Sequence, residues 1–70
     1  MSANDARQGV VQAVLPSGLY RVLLDGGETV VASLSLKARR VTTKVLPGDR
    51  VSVEVFPLDP TRARITSRQR

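Results

Sequence analysis

The chain has no cysteine, no histidine and no tryptophan, and only one tyrosine and one phenylalanine among its 70 residues. Without cysteine and histidine there are no disulfides and no usual structural zinc ligands, so packing and backbone pairing alone must hold a small core. The same absences remove the thiolate nucleophile and the imidazole base. No Ser-x-x-Lys motif, glycine-rich phosphate loop or paired-carboxylate cluster replaces them. Of the acids, Asp25, Asp49 and Asp59 fall in turn-forming contexts, where an aspartate bonds to nearby backbone. A protein that is not an enzyme, with no cofactor and no metal, is the expectation. The chain also lacks an apolar run of about 18 residues and a signal-type apolar core after a basic start. Together with the missing cysteines, this favours a cytoplasmic location.

What the chain does have is positive charge in two blocks. The net charge is +5, with residues 37–44 and 62–70 each contributing +4, while 1–36 and 45–61 are net negative. The first block comprises Lys37, Arg39, Arg40 and Lys44; the second comprises Arg62, Arg64, Arg68 and Arg70. Arginine dominates, and its planar fork suits phosphate better than an ammonium does. Clustered arginines on a small basic domain point to a polyanion, and nucleic acid is the leading class. An acidic membrane would ask for an amphipathic basic helix or a lipid anchor, and neither is present.

Strand patterns recur with turn chemistry between them. "GVVQAVL" (9–15) stops at "PSG". "LYRVLL" (19–24) places Tyr20, Val22 and Leu24 on one face and Arg21 on the other. "DGG" (25–27) predicts a primed two-residue hairpin turn, and "ETVVASL" (28–34) directs Val30, Ala32 and Leu34 inward. After the first basic block, "LPGD" (46–49) predicts a type II turn around Pro47 and Gly48, and "RVSVEVF" (50–56) alternates cleanly. "PLDPT" (57–61), with two prolines, predicts a connection. "RARITSRQR" (62–70) alternates again, which predicts Arg62, Arg64 and Arg68 on one face.

Between the third and fourth strands, residues 35–40 suit a single helical turn capped by Ser33 or Ser35 and docked through Leu34 or Leu36. Five strands with that turn fit an all-β, five-stranded OB-fold barrel over residues 9–70, preceded by a flexible segment at 1–8. Another small five-stranded barrel has the same strand count. Tyr20 is expected in the core and Phe56 exposed at a strand end. With so few aromatics, phosphate and sugar contacts are a better expectation than base stacking.

The ordered pieces "YRVLLDGGETVVA", "SLSLKARR", "LPGDRVSVE", "PLD" and "RITSR" make the chain resemble bacterial translation initiation factor 1. The resemblance covers nearly the whole chain beyond residue 8. It implies a single OB-fold that binds the small ribosomal subunit at the aminoacyl site through ribosomal RNA and assists initiation with factors 2 and 3. It further implies a monomer without turnover. By position, Lys37 and Arg39 match the cations of the family's basic segment, Arg40 and Lys44 basic positions just beyond it, and Arg64, Arg68 and Arg70 the basic C-terminal strand and tail.

The chain departs from the family's usual residues at Ser33, Leu36, Ala38, Thr42, Leu58 and Ala63, which removes apolar and stacking groups while keeping the cations. Two other readings share the composition. A general RNA-binding OB-fold or RNA chaperone would need exposed stacking groups. A protein-interaction barrel would turn its arginines to an acidic partner.

Overall fold

The computed structural model describes residues 5–41 and 45–69. Five strands form one closed barrel: β1 (Asp5–Leu15), β2 (Leu19–Leu24), β3 (Thr29–Leu34), β4 (Arg50–Phe56) and β5 (Asp59–Gln69), in the order β1-β2-β3-β5-β4. A short helix, α1 (Leu36–Val41), joins β3 to β4. β1 pairs antiparallel with both β2 and β4, β4 pairs antiparallel with β5, and a parallel β3–β5 pairing closes the barrel. Five strands in this order, with the helix between the third and fourth, make an OB-fold.

The alternating residues fill the interior as the sequence predicts. Val22 and Leu24, Val30 and Ala32, Val51, Val53 and Val55, and Ala63 and Ile65 are all buried, with Tyr20 and Leu34 packed against them. The core is mostly valine, with no aromatic fully inside, which suits the narrow interior of a five-stranded barrel.

Several local expectations change. β1 begins at Asp5, and Asp5 to Gln8 pair with Val55 to Ser52 of β4. The polar "DARQ" thus extends the strand by backbone pairing, which composition does not reveal, while residues 1–4 lie outside the described residues. In the β2–β3 hairpin the Gly27 amide donates to the Leu24 carbonyl (2.9 Å), the Leu24 amide donates to the Glu28 carbonyl (2.7 Å), and the positive φ falls on Gly27. This is a three-residue loop, a type I turn followed by a left-handed glycine, in place of a primed two-residue turn. β5 starts at Asp59, before the second proline. Asp59 pairs with Phe56, and the next pair joins Ala63 to Val55, so Pro60 falls in a bulge where its missing N–H costs no ladder bond.

The type II turn forms as expected. The Asp49 amide donates to the Leu46 carbonyl (3.1 Å), with Gly48 at φ +94°. The Asp49 carboxylate accepts from the Leu46 amide (2.9 Å), and the turn is bonded to both backbone groups of Val11. That attachment coincides with the irregularity in β1 between Val11 and Ala13.

Ser35 caps α1: its hydroxyl accepts from the Ala38 amide (3.0 Å) while its own amide donates to the Ile65 carbonyl (2.9 Å). The helix docks through the fully buried Ala38 and through Leu34 before it, whereas Leu36 is 78% exposed. A helix this short has little stability of its own. Ser35→Ala is expected to cost about 1 kcal/mol, read as a lower melting temperature.

Candidate nucleic-acid interface

The pairing register decides which charged side chains share a face. Residues directly opposite one another project to the same side of a sheet. Arg21 of β2 lies opposite Val31 of β3, and Val31 lies opposite Arg62 of β5, so the two arginines share one row on the outside of the barrel. In the next row Leu19, Ser33 and Arg64 align across the same strands, and Glu54 of β4 lies opposite Arg64. Arg21, Arg62 and Arg64 are all exposed.

Arg68 leaves that face. The β4–β5 register shifts between Ser52 and Val53, so Ser67 lies opposite Ser52 and Arg68 opposite the buried Val51. The extra residue is Thr66, whose hydroxyl donates to the Ser52 carbonyl (3.2 Å). Simple alternation therefore fails after Ile65, and the expected trio of Arg62, Arg64 and Arg68 is reduced to a pair. Arg68 turns to Asp49 at the type II turn, 3.7 Å away.

The remaining described arginines divide into two groups. Arg7 is paired with Glu28 (3.2 Å), Arg50 with Asp25, and Arg68 with Asp49, so these cations fasten turns and strands of the barrel together. Arg21, Arg39 and Arg62 form no ion pair with any described residue. The Arg64 guanidinium carbon lies over the half-buried Phe56 ring, 5.5 Å from its centroid and within cation–π range. Phe56, expected to be exposed at the strand end, therefore has one face covered by a cation. A groove of about 270 Å³ between β1 and β4, lined in part by Gln8, Ser52 and Glu54, holds a single cation, the already paired Arg7.

Hydrogen bonding from its own backbone and the neighbouring Arg7 guanidinium hold the exposed Glu28 carboxyl below its ordinary value. Such a group adds stability above the unfolded-state pKa and loses it as pH falls through the lower folded value. Because the pair is exposed, Glu28→Gln is expected to change the melting temperature little at neutral pH. It should remove a small part of the stability lost on the acid side of the carboxylate range, read by thermal unfolding across pH.

The first basic block lies on and beyond α1. Lys37, Arg39 and Arg40 belong to the helix, and Arg39 is exposed. Lys44, and Arg70 of the second block, lie outside the described residues. α1 packs against β5 and β3, so the helix carrying the first block adjoins the strand carrying most of the second. Arg21 shares the outer row of Arg62 without belonging to either block. Its signal in the sequence is a lone cation opposite in phase to Tyr20, Val22 and Leu24, which charge-block counting passes over.

The model of the family described as translation initiation factor 1A / IF-1 matches residues 2–70. The chain belongs to that family. Its fold is also that of the solution structure of translation initiation factor 1 from the Wolbachia endosymbiont strain TRS of Brugia malayi. The TM-score is 0.78 and the identity 32%, over 99% of this chain and 82% of the other. An initiation factor of this family is not an enzyme. No helix among the described residues is long and apolar enough to cross a membrane.

Proposed function

We propose that this initiation factor binds the small ribosomal subunit at the aminoacyl site through ribosomal RNA and assists initiation with factors 2 and 3, as a cytoplasmic monomer. The observation that carries the reading is the division of the arginines. Three of them pair internally with acids, while Arg21 on β2, Arg39 on α1 and Arg62 on β5 form no ion pair with a described residue in a member of this family. Lys37, Arg40, Lys44, Arg64, Arg68 and Arg70 add charge to the same two segments, with Arg68 serving the barrel through Asp49. The mechanism is positional. Cations displace counterions from phosphates and hold the barrel against folded RNA, and no bond is made or broken.

Co-sedimentation with purified small and large ribosomal subunits across a salt series tests this. Stoichiometric binding to the small subunit alone, weakening steeply as salt rises, is the expected result. Equal binding to both subunits and to short unstructured RNA would favour the general RNA-binding reading. Retention of acidic proteins without ribosomal RNA would favour the protein-interaction barrel.

A further inference from the structure

We infer that the Asp25–Gly26 bond in the β2–β3 loop is a self-modification site, where the Gly26 nitrogen closes on the Asp25 side chain and produces an isoaspartyl linkage, with Arg50 restraining the reaction. The inference is independent of the RNA-binding reading. The chain has four aspartates, followed in turn by Ala6, Gly26, Arg50 and Pro60. Ring closure needs an N–H on the following residue and open space around it. Proline has no N–H, and a side chain crowds the nitrogen of alanine or arginine, so Asp25 is the aspartate with an unhindered neighbour.

The loop presents both reacting groups. Asp25 and Gly26 are exposed, and the Gly26 amide donates no hydrogen bond to a described residue. Its neighbours are fixed: the Asp25 amide donates to the Gln8 carbonyl (3.0 Å), and the Gly27 amide to the Leu24 carbonyl (2.9 Å). The Arg50 guanidinium, reaching over from β4, donates to the Asp25 carboxylate and ties that side chain to the barrel. Asp25 must let go of Arg50 before its carboxyl carbon can reach the free nitrogen. Arg50 is thus a positioning residue that holds the reactants apart.

The reaction needs only water. The Gly26 nitrogen attacks Cγ of Asp25 and a new N–C bond forms, while one carboxylate oxygen, taking the amide proton and a proton from solvent, departs as water. Water then adds to either carbonyl of the five-membered ring and breaks the N–C bond there. Opening at the original backbone carbonyl routes the main chain through Cγ, one carbon longer. A loop lengthened in this way no longer matches the three-residue turn closed between Leu24 and Glu28.

Incubation of the folded protein in heavy-oxygen water, followed by peptide mapping, tests this, because each passage through the ring places one solvent oxygen in the residue. Label and isoaspartate are expected at residue 25, about tenfold more slowly than in the urea-unfolded chain. Arg50→Ala should quicken labelling of the folded protein about threefold, the size of restraint an exposed ion pair supplies. Arg7→Ala, which frees Glu28 on the same loop but keeps Arg50 on Asp25, should change the rate little. Asp25→Glu preserves the charge and should abolish labelling there.

Absence of label at Asp25 in both the folded and the unfolded chain overturns the site. Equal rates in the wild type and Arg50→Ala, or an equal rise in Arg7→Ala, overturn the role of Arg50. If Arg50→Ala loosens the fold, the slower reaction of the folded wild type than of the unfolded chain still tests the restraint, and equal rates there overturn it.

Discussion

Alanine at Arg21, Arg39 and Arg62 together is expected to lower affinity for small ribosomal subunits about a hundredfold near 0.1 M salt, and to flatten the plot of log K against log salt by about 2. The magnitude follows from counterion release: each neutralised phosphate contributes roughly 0.7 to 0.9 to that slope. The melting temperature should hardly move, because these three side chains are exposed and form no ion pair with a described residue. Arg7→Ala is the contrasting variant. Its guanidinium serves Glu28, so affinity should change by less than about twofold. Equal losses from both variants would mean that net charge, and not the arrangement on β2, β5 and α1, governs binding.

Gly9→Ala is expected to be the most damaging single substitution to the fold at a position far from the proposed interface. Gly9 is buried where β1 pairs with Leu24 of β2 on one side and Val51 of β4 on the other. A Cβ there would overlap the Leu23 carbonyl oxygen and lie 2.9 Å from Cγ1 of Val22. The nearer atom is backbone, so relief requires β1 and β2 to part at the point where the barrel turns its corner.

The expected cost of Gly9→Ala is about 3 kcal/mol, at the upper end for overpacking. In a domain of this size that corresponds to a fall in melting temperature of roughly 12 to 24 °C. Gly18→Ala separates this close approach from backbone conformation. Its Cβ meets nothing within 4 Å, so only the positive φ of +73° opposes it, at about 1 kcal/mol. Similar melting temperatures for the two variants would count against the close approach at Gly9.

Much of the barrel was legible in the sequence because its core faces are local patterns. Val51, Val53 and Val55 alternate with Ser52 and Glu54, and the same period places Val30 with Ala32 and Ala63 with Ile65. Ser35 announces α1 by its residue type, although the docking residue is the small Ala38 and not the larger Leu36, which points to solvent. A helix so close to the β3–β5 seam leaves room for a methyl group where a leucine would crowd it.

The candidate site was less legible, since its geometry depends on which strands pair. The row joining Arg21 to Arg62 exists only because β3 lies between β2 and β5. The bulge at Thr66 that removes Arg68 from the face is a property of the β4–β5 register. The ion pairs that occupy Arg7 and Arg50 join residues 21 and 25 positions apart. Charge counting treats every arginine alike, whereas acid partners placed by the fold decide which stay available.

On the proposed reading the arginines divide by partner into a structural set and an RNA-contacting set. Titration of the isotopically labelled protein with small-subunit ribosomal RNA, following each arginine Nε–H signal by NMR, tests this directly. Signals of Arg21, Arg39, Arg62 and Arg64 should shift or broaden in step with binding, while those of Arg7, Arg50 and Arg68 stay in place. Shifts confined to Arg7, Arg50 and Arg68, or spread evenly over both sets, would contradict it.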